Sequence, residues 1–154
     1  MAKITSLQIG SNTLTVPKLP EMNMNYYKLR TADNKFIVVS ERSNKTGYEQ
    51  INLTNYLPDK NKYPYILVHM NAVFDSNNSQ VCDLRVWSDI SPWRDICTGL
   101  NGGRIQVNEF WLPVGAGRWM CHENWSSTNN VSPIWSEVRI LGYMILNSYT
   151  EVQK

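Results

Sequence analysis

The sequence has no apolar run approaching the ~20 residues that a membrane-spanning helix needs, and no stretch that keeps a 3.6-residue apolar period over three helical turns. Spanning helices and helical bundles are thereby excluded. It also lacks an excess of one charge sign: the net charge is +2 and the basic residues are scattered. Nothing in that pattern makes a footprint for nucleic acid or for insertion into a membrane. Cysteine is scarce, and Cys82, Cys97 and Cys121 are an odd set without a CxxC spacing. Neither a disulfide framework nor a zinc site follows, so three free, mostly buried thiols are expected. Histidine is scarcer still. His122 stands between Cys121 and Glu123, but successive residues of a strand point to opposite faces and cannot chelate together. His69, the other histidine, is expected on the outer side of its strand. No serine sits in a nucleophile elbow, and Gly115-Ala116-Gly117 lacks the spacing of a phosphate loop. No metal and no cofactor are expected. The opening MAKITSLQIG has neither a charged n-region nor an apolar h-region, which predicts a product of a reducing cytosol. The N-x-[ST] matches, such as Asn52-Leu-Thr54, follow from an asparagine-rich composition.

What the chain does have is strands. Ile66, Val68, Met70, Ala72 and Phe74 alternate along Tyr65–Phe74, with Tyr65, His69 and Asn71 on the other parity. Gln80–Ser88 repeats the pattern, with Cys82, Leu84 and Val86 inward and Asp83, Arg85 and Trp87 outward. The turn sequence 75–79 predicts a hairpin between these two strands. Asn25–Arg30 and Lys35–Ser40, split by Ala32-Asp33-Asn34, predict another, and Gly47–Leu53 is a weaker strand. Residues 103–125 read as a central hairpin whose glycines at 115 and 117 supply the positive φ of a short loop. The first part of the connection Asp89–Gly102 has room for one helical turn. Glu137–Asn147 is the last strand, with Val138, Ile140, Met144 and Leu146 facing the core. The expected fold is all-β, an antiparallel β-sandwich of one domain over residues 22–154, with a jelly roll preferred to an irregular barrel. Residues 1–21, interrupted by Pro17 and Pro20, form an N-terminal arm or an edge strand, and are expected to dock on a partner.

Three features carry candidate function. Six Trp and eight Tyr stand against three Phe, a balance that suits half-buried surfaces with polar neighbours. Trp87, Trp93, Trp125 and Trp135, accompanied by Arg94, Asn124 and Asn129, make a candidate sugar platform, in which indole faces stack on sugar C–H surfaces and amides meet hydroxyls. The competing explanation is that these rings pack on the core edge or on another subunit. Leu141, Tyr143 and Ile145 lie opposite the core-facing side of the last strand, an apolar stripe that predicts an oligomer interface unless a second layer covers it. Finally, a three-residue loop at 115–117 sets Glu109 opposite Glu123, as in the carboxylate pair of a glycoside hydrolase. A loop one residue longer or shorter abolishes that pairing.

The order FWLPVGAGRWM (110–120), a polar loop, then VRILGYMIL (138–146) resembles the closing strands of bacteriophage virion β-sandwich domains, the tail-fibre heads, receptor-binding heads and head-decoration proteins. The Tyr65–Phe74 strand followed by Gln80–Ser88 is similar to their middle hairpin. The resemblance implies a non-enzymatic structural or attachment subunit of a virion, commonly a homotrimer, assembled in the bacterial cytoplasm. Its partners would be other virion proteins and a host-surface glycan. A carbohydrate-binding module or lectin is the alternative, and a glycosidase using the glutamate pair is the third.

Overall fold

Every second residue of the Tyr65–Phe74 segment is sealed from solvent: Ile66, Val68, Met70, Ala72 and Phe74 are all 0% exposed. The computed structural model describes residues 7–9, 12–14, 25–43, 47–76, 82–99, 104–127 and 134–146. Its strands are β1 (Leu7–Ile9), β2 (Asn12–Leu14), β3 (Tyr26–Lys28), β4 (Ile37–Ser43), β5 (Gly47–Asn52), β6 (Tyr65–Ser76), β7 (Cys82–Ser88), β8 (Arg94–Gly99), β9 (Arg104–Val114), β10 (Trp119–Ser126) and β11 (Ile134–Leu146). No helix occurs among the described residues. β1 and β2 pair with each other as a small two-stranded sheet. The remainder of the expected arm, apart from these six residues, lies outside the described residues.

The other strands make two antiparallel sheets. Sheet I has the order β3–β11–β6–β9, with β4 also on β11, and sheet II has the order β5–β10–β7–β8. The partners are nested: β4 pairs with β11, β5 with β10, β6 with β9, and β7 with β8. The chain is thus one long hairpin folded back on itself, and the β6–β11 and β7–β10 ladders roll it into two layers. That is the jelly roll, with one core between the layers. Leu84, Val86 and Met120 from sheet II meet Ile66, Met70, Leu112 and Ile140 from sheet I there.

The nesting overturns three expected hairpins for one physical reason: alternation tells which face of a strand is apolar, not which strand lies beside it. β6 and β7 belong to different sheets, so residues 77–81 connect the two layers. β3 and β4 do not pair with each other; they follow one another along the same edge of β11, one strand interrupted by the loop at 30–36. Within that loop the Asn34 amide donates to the Thr31 carbonyl, with Asn34 at φ 63°. β9 and β10 also part, one to each sheet, and Gly115–Gly117 is a corner. The first part of the 89–102 connection, where a helical turn had room, is a bend at 89–91, and the edge strand β8 follows it.

The corner explains its glycines differently from the expectation. The Gly115 and Gly117 amides donate to the two carboxylate oxygens of Asp89, at 2.8 and 2.7 Å. A Cβ on Gly117 would fall 2.6 Å from Asp89 Oδ2, and one on Gly115 2.7 Å from Ile90 Cγ2. Close approach, not positive φ, demands glycine here; the residue at positive φ is Arg118, at 54°. Arg118 is 1% exposed, and its guanidinium donates to the carbonyls of Gly115, Pro58 and Tyr63, pinning the 53–64 connection to the corner. Asp89→Ala removes both acceptors from the corner, and hydrogen bonds to a charged group are worth about 1.5–3 kcal/mol each. With Asp89 half-buried, a net loss of about 2–3 kcal/mol is expected in urea unfolding. An unchanged midpoint would mean that the corner is held by Arg118 alone.

A β-bulge in β11 corrects the candidate interface. The β6–β11 register slips between Ile140 and Gly142, with Leu141 as the extra residue. Before it, Val138 and Ile140 lie opposite Ala72 and Met70 on the core face. After it, Tyr143 and Ile145 lie opposite Val68 and Ile66, so they too face the core, while Met144 and Leu146 turn outward. One inserted residue exchanges the faces of everything beyond it. Leu141 is itself only 5% exposed. The stripe of Leu141, Tyr143 and Ile145 is therefore not an outward face, and Tyr143 and Ile145 pack half-buried against the core.

Candidate functional site

On β7, Leu84 and Val86 enter the core, so Asp83, Arg85 and Trp87 share the outer face of sheet II. On β10, Met120, His122 and Asn124 point inward, leaving Cys121, Glu123 and Trp125 outside. The β7–β10 register sets Cys121 opposite Trp87, Glu123 opposite Arg85, and Trp125 opposite Asp83. On the other side of β10, Tyr48 of β5 lies opposite Glu123. The loop after β7 adds Pro92 and Trp93. It is shaped by Ser88, whose hydroxyl donates to the Pro113 carbonyl at 2.5 Å and accepts from the amides of Ile90 and Ser91.

These elements gather three of the four predicted platform tryptophans around one arginine. The Arg85 guanidinium lies 4.8 Å from the Trp93 ring and 4.1 Å from the Trp125 ring. Its Nε donates to Asp95 at 2.8 Å and its Nη2 to Asp83 at 3.2 Å, which fixes its plane. Tyr48 packs on Trp87 with ring centres 5.6 Å apart. Arg85, Trp87, Pro92, Trp93 and Glu123 line a cleft of about 310 Å³, open to solvent. A volume of this order accommodates a small ligand ring. Trp93 is 58% exposed. It therefore presents its ring at almost no cost in fold stability.

The remaining predicted platform residues lie elsewhere. Trp135 is on the outer face of sheet I, across the sandwich, where its indole N–H donates to Glu41 Oε1 at 3.0 Å. Asn124 is 0% exposed and accepts a hydrogen bond from the Ser136 hydroxyl at 2.6 Å, inside the protein. Arg94 donates inward to the Trp111 carbonyl. Asn129 lies outside the described residues. Arg85 and Tyr48 were missed as site residues because their neighbours come from the order of strands in the sheet.

The glutamate pair is not assembled. Glu109 lies opposite Asn71 on the outer face of sheet I, and Glu123 on the outer face of sheet II. Glu109 instead accepts from His69 Nε2 at 3.1 Å, while His69 Nδ1 meets the Tyr26 hydroxyl at 3.0 Å and the imidazole stacks on Trp111 at 4.3 Å. Gly142 makes this chain of contacts possible. A Cβ there would fall 2.4 Å from the Tyr26 hydroxyl.

Inside the sandwich, His122 joins the two sheets. Ser136 donates its only hydroxyl proton to Asn124, so it must accept from His122 Nε2–H at 2.9 Å, and Nδ1 accepts from Ser40 at 2.8 Å. Burial, with a smaller contribution from the Arg42 charge, pushes the His122 pKa down to about 3. The three cysteines are free and buried. Burial raises the Cys97 thiol to about 11, against the hydrogen bond from Asn108. Such a thiol is almost wholly protonated at neutral pH and inert.

Fold and face together define a class: a jelly-roll β-sandwich that carries an aromatic cleft with carboxylates on the outside of one sheet. Neither the protein-family models nor the curated proteins compared with the chain match it.

Proposed function

We propose that the protein is a non-enzymatic glycan-binding subunit and, following the resemblance of residues 110–120 and 138–146, that it serves as an attachment component of a bacteriophage particle. The observation that carries the binding function is the convergence of Trp87, Trp93 and Trp125 on one outer face, two of them lining the 310 Å³ cleft with Arg85 and Glu123. Indoles offer flat apolar faces to the C–H surface of a pyranose, and the adjoining carboxylates accept from its hydroxyls. The separation of Glu109 and Glu123 on opposite outer faces supports the non-enzymatic side.

A host-surface glycan array followed by titration of the best ligand tests the proposal. Trp93→Ala is expected to weaken binding by about tenfold or more, ~1.4 kcal/mol, with an unchanged melting temperature. An array without a ligand, or equal affinity of the variant, would reject it.

A second proposal, a structural subunit acting chiefly through association with other virion proteins or as a homotrimer, draws on Ile105 and Val107 of edge strand β9, which are 67% and 58% exposed. Light scattering at tens of micromolar separates the cases. A stable trimer without glycan affinity favours the structural role.

A further inference from the structure

Glu123 is a carboxylate without a cation. The ladder puts it directly opposite Arg85, the arrangement that ordinarily makes a cross-strand ion pair. Arg85 has turned its Nε to Asp95 and its Nη2 to Asp83 instead. Among the described residues Glu123 has no hydrogen bond or ion pair. Asp83, Asp95 and Glu123 against Arg85 leave this face with a net charge of −2. The arginines nearest to Glu123 and to Arg85 along the chain donate elsewhere, Arg118 to the Gly115 and Pro58 carbonyls and Arg94 to the Trp111 carbonyl. The aromatic walls share the preference. Trp93 and Trp125 already hold a guanidinium against their faces, and Trp87 lines the cleft beside the unneutralised carboxylate. An indole face carries negative electrostatic potential and attracts a cation.

We infer that the cleft between Trp87 and Trp93 takes a glycan bearing a free ammonium group, an amino sugar without its N-acetyl cap. The inference rests on the glycan-binding proposal and specifies its ligand. The ammonium donates to Glu123 in a charge-assisted hydrogen bond and lies against the indoles, while the pyranose ring stacks on the Trp93 face. An acidic sugar meets the net negative charge of the face and is rejected. A neutral sugar keeps the stacking but offers Glu123 hydroxyls and no cation.

Calorimetric titration at pH 6 with β-1,4-linked oligomers of equal length decides the matter, because glucosamine units carry a cation, glucose and N-acetylglucosamine units no charge, and mannuronate units an anion. The glucosamine oligomer is expected to bind about tenfold tighter than the glucose oligomer, ~1.4 kcal/mol, and the mannuronate oligomer weakest. Glu123→Gln, on an accessible surface, should abolish the preference, so that the glucosamine and glucose oligomers bind alike. Trp93→Ala should weaken both. A glucose or N-acetylglucosamine oligomer that binds as well as the glucosamine one overturns the inference and leaves glycan binding standing. A preference that survives Glu123→Gln overturns it as well, since the carboxylate would not be its source. Binding of none of the four also overturns it, and with an empty array the glycan-binding proposal falls too.

Discussion

Val68→Asp is expected to give a chain that does not fold. Val68 is 0% exposed in the middle of β6, flanked in register by Leu112 and Tyr143 on the core face. Among the described residues a carboxylate there has no cationic partner: the buried guanidiniums of Arg42 and Arg118 are committed to Glu49 and to backbone carbonyls, and His122 is neutral. Taking up a proton instead costs about 4 kcal/mol at neutral pH, some three units above the ordinary aspartate pKa, and the neutral carboxyl left without a hydrogen-bond partner costs about 1–3 kcal/mol more. Losing the valine adds about 2 kcal/mol. The sum is comparable with the whole stability of a domain, about 5–15 kcal/mol. Val68→Ala, which removes only burial and leaves a small cavity, should cost about 2–3 kcal/mol and still fold. Circular dichroism on heating checks both: no cooperative transition for the aspartate variant, and a lowered one for alanine. An aspartate variant that melts at the wild-type temperature would disprove the core position of β6.

Stability is also expected to fall as the solution becomes mildly acidic, through His122. Its pKa is about 3 in the folded protein against 6.5 for an unhindered imidazole, because burial and the Arg42 charge oppose protonation. Between those values the unfolded chain binds a proton that the folded one does not, so stability rises with pH across that window and is flat above it. As pH falls through 6.5 the loss approaches 1.4 kcal/mol per unit, or about 2 kcal/mol from pH 7 to pH 5. Urea midpoints at the two pH values measure it. His122→Gln, less stable at pH 7 because Ser40 and Ser136 lose their shared partner, should lack that part of the slope. Equal slopes in both proteins would show that His122 is not the titrating group.

The two expectations differ in how far the sequence foretold them. The β6 core face is written in five same-parity apolar residues, and burial followed as the alternation required. The role of His122 was not legible, because its partners come from β4 and β11, on the other sheet. The platform was half legible. Trp87 was outward by parity and Trp93 lay in a loop, but nothing in the linear order placed Trp125 beside Arg85 or moved Trp135 to the far side. Asn124 was expected at the surface from its loop-like neighbours. β10 extends past it to Ser126, and the alternation set by Met120 and His122 carries it inward.

Hydrophobic alternation by itself determined that this chain is all-β, that it forms a two-layered sandwich, and which face of β6, β7 and the first half of β11 is buried. It could do so because a strand's period of two is a local property, read without knowledge of any partner. Tertiary structure alone decided the rest. It set which strands are neighbours, so that three apparent hairpins became two crossovers and one broken edge. It placed the bulge at Leu141 that turned Tyr143 and Ile145 from a surface stripe into core. It also put Glu109 and Glu123 on opposite sides of the molecule and left Glu123 unpaired beside Trp87 and Trp93. Pairing and register depend on contacts between residues far apart in the chain, and the energy that selects them exists only when both sheets close on one core.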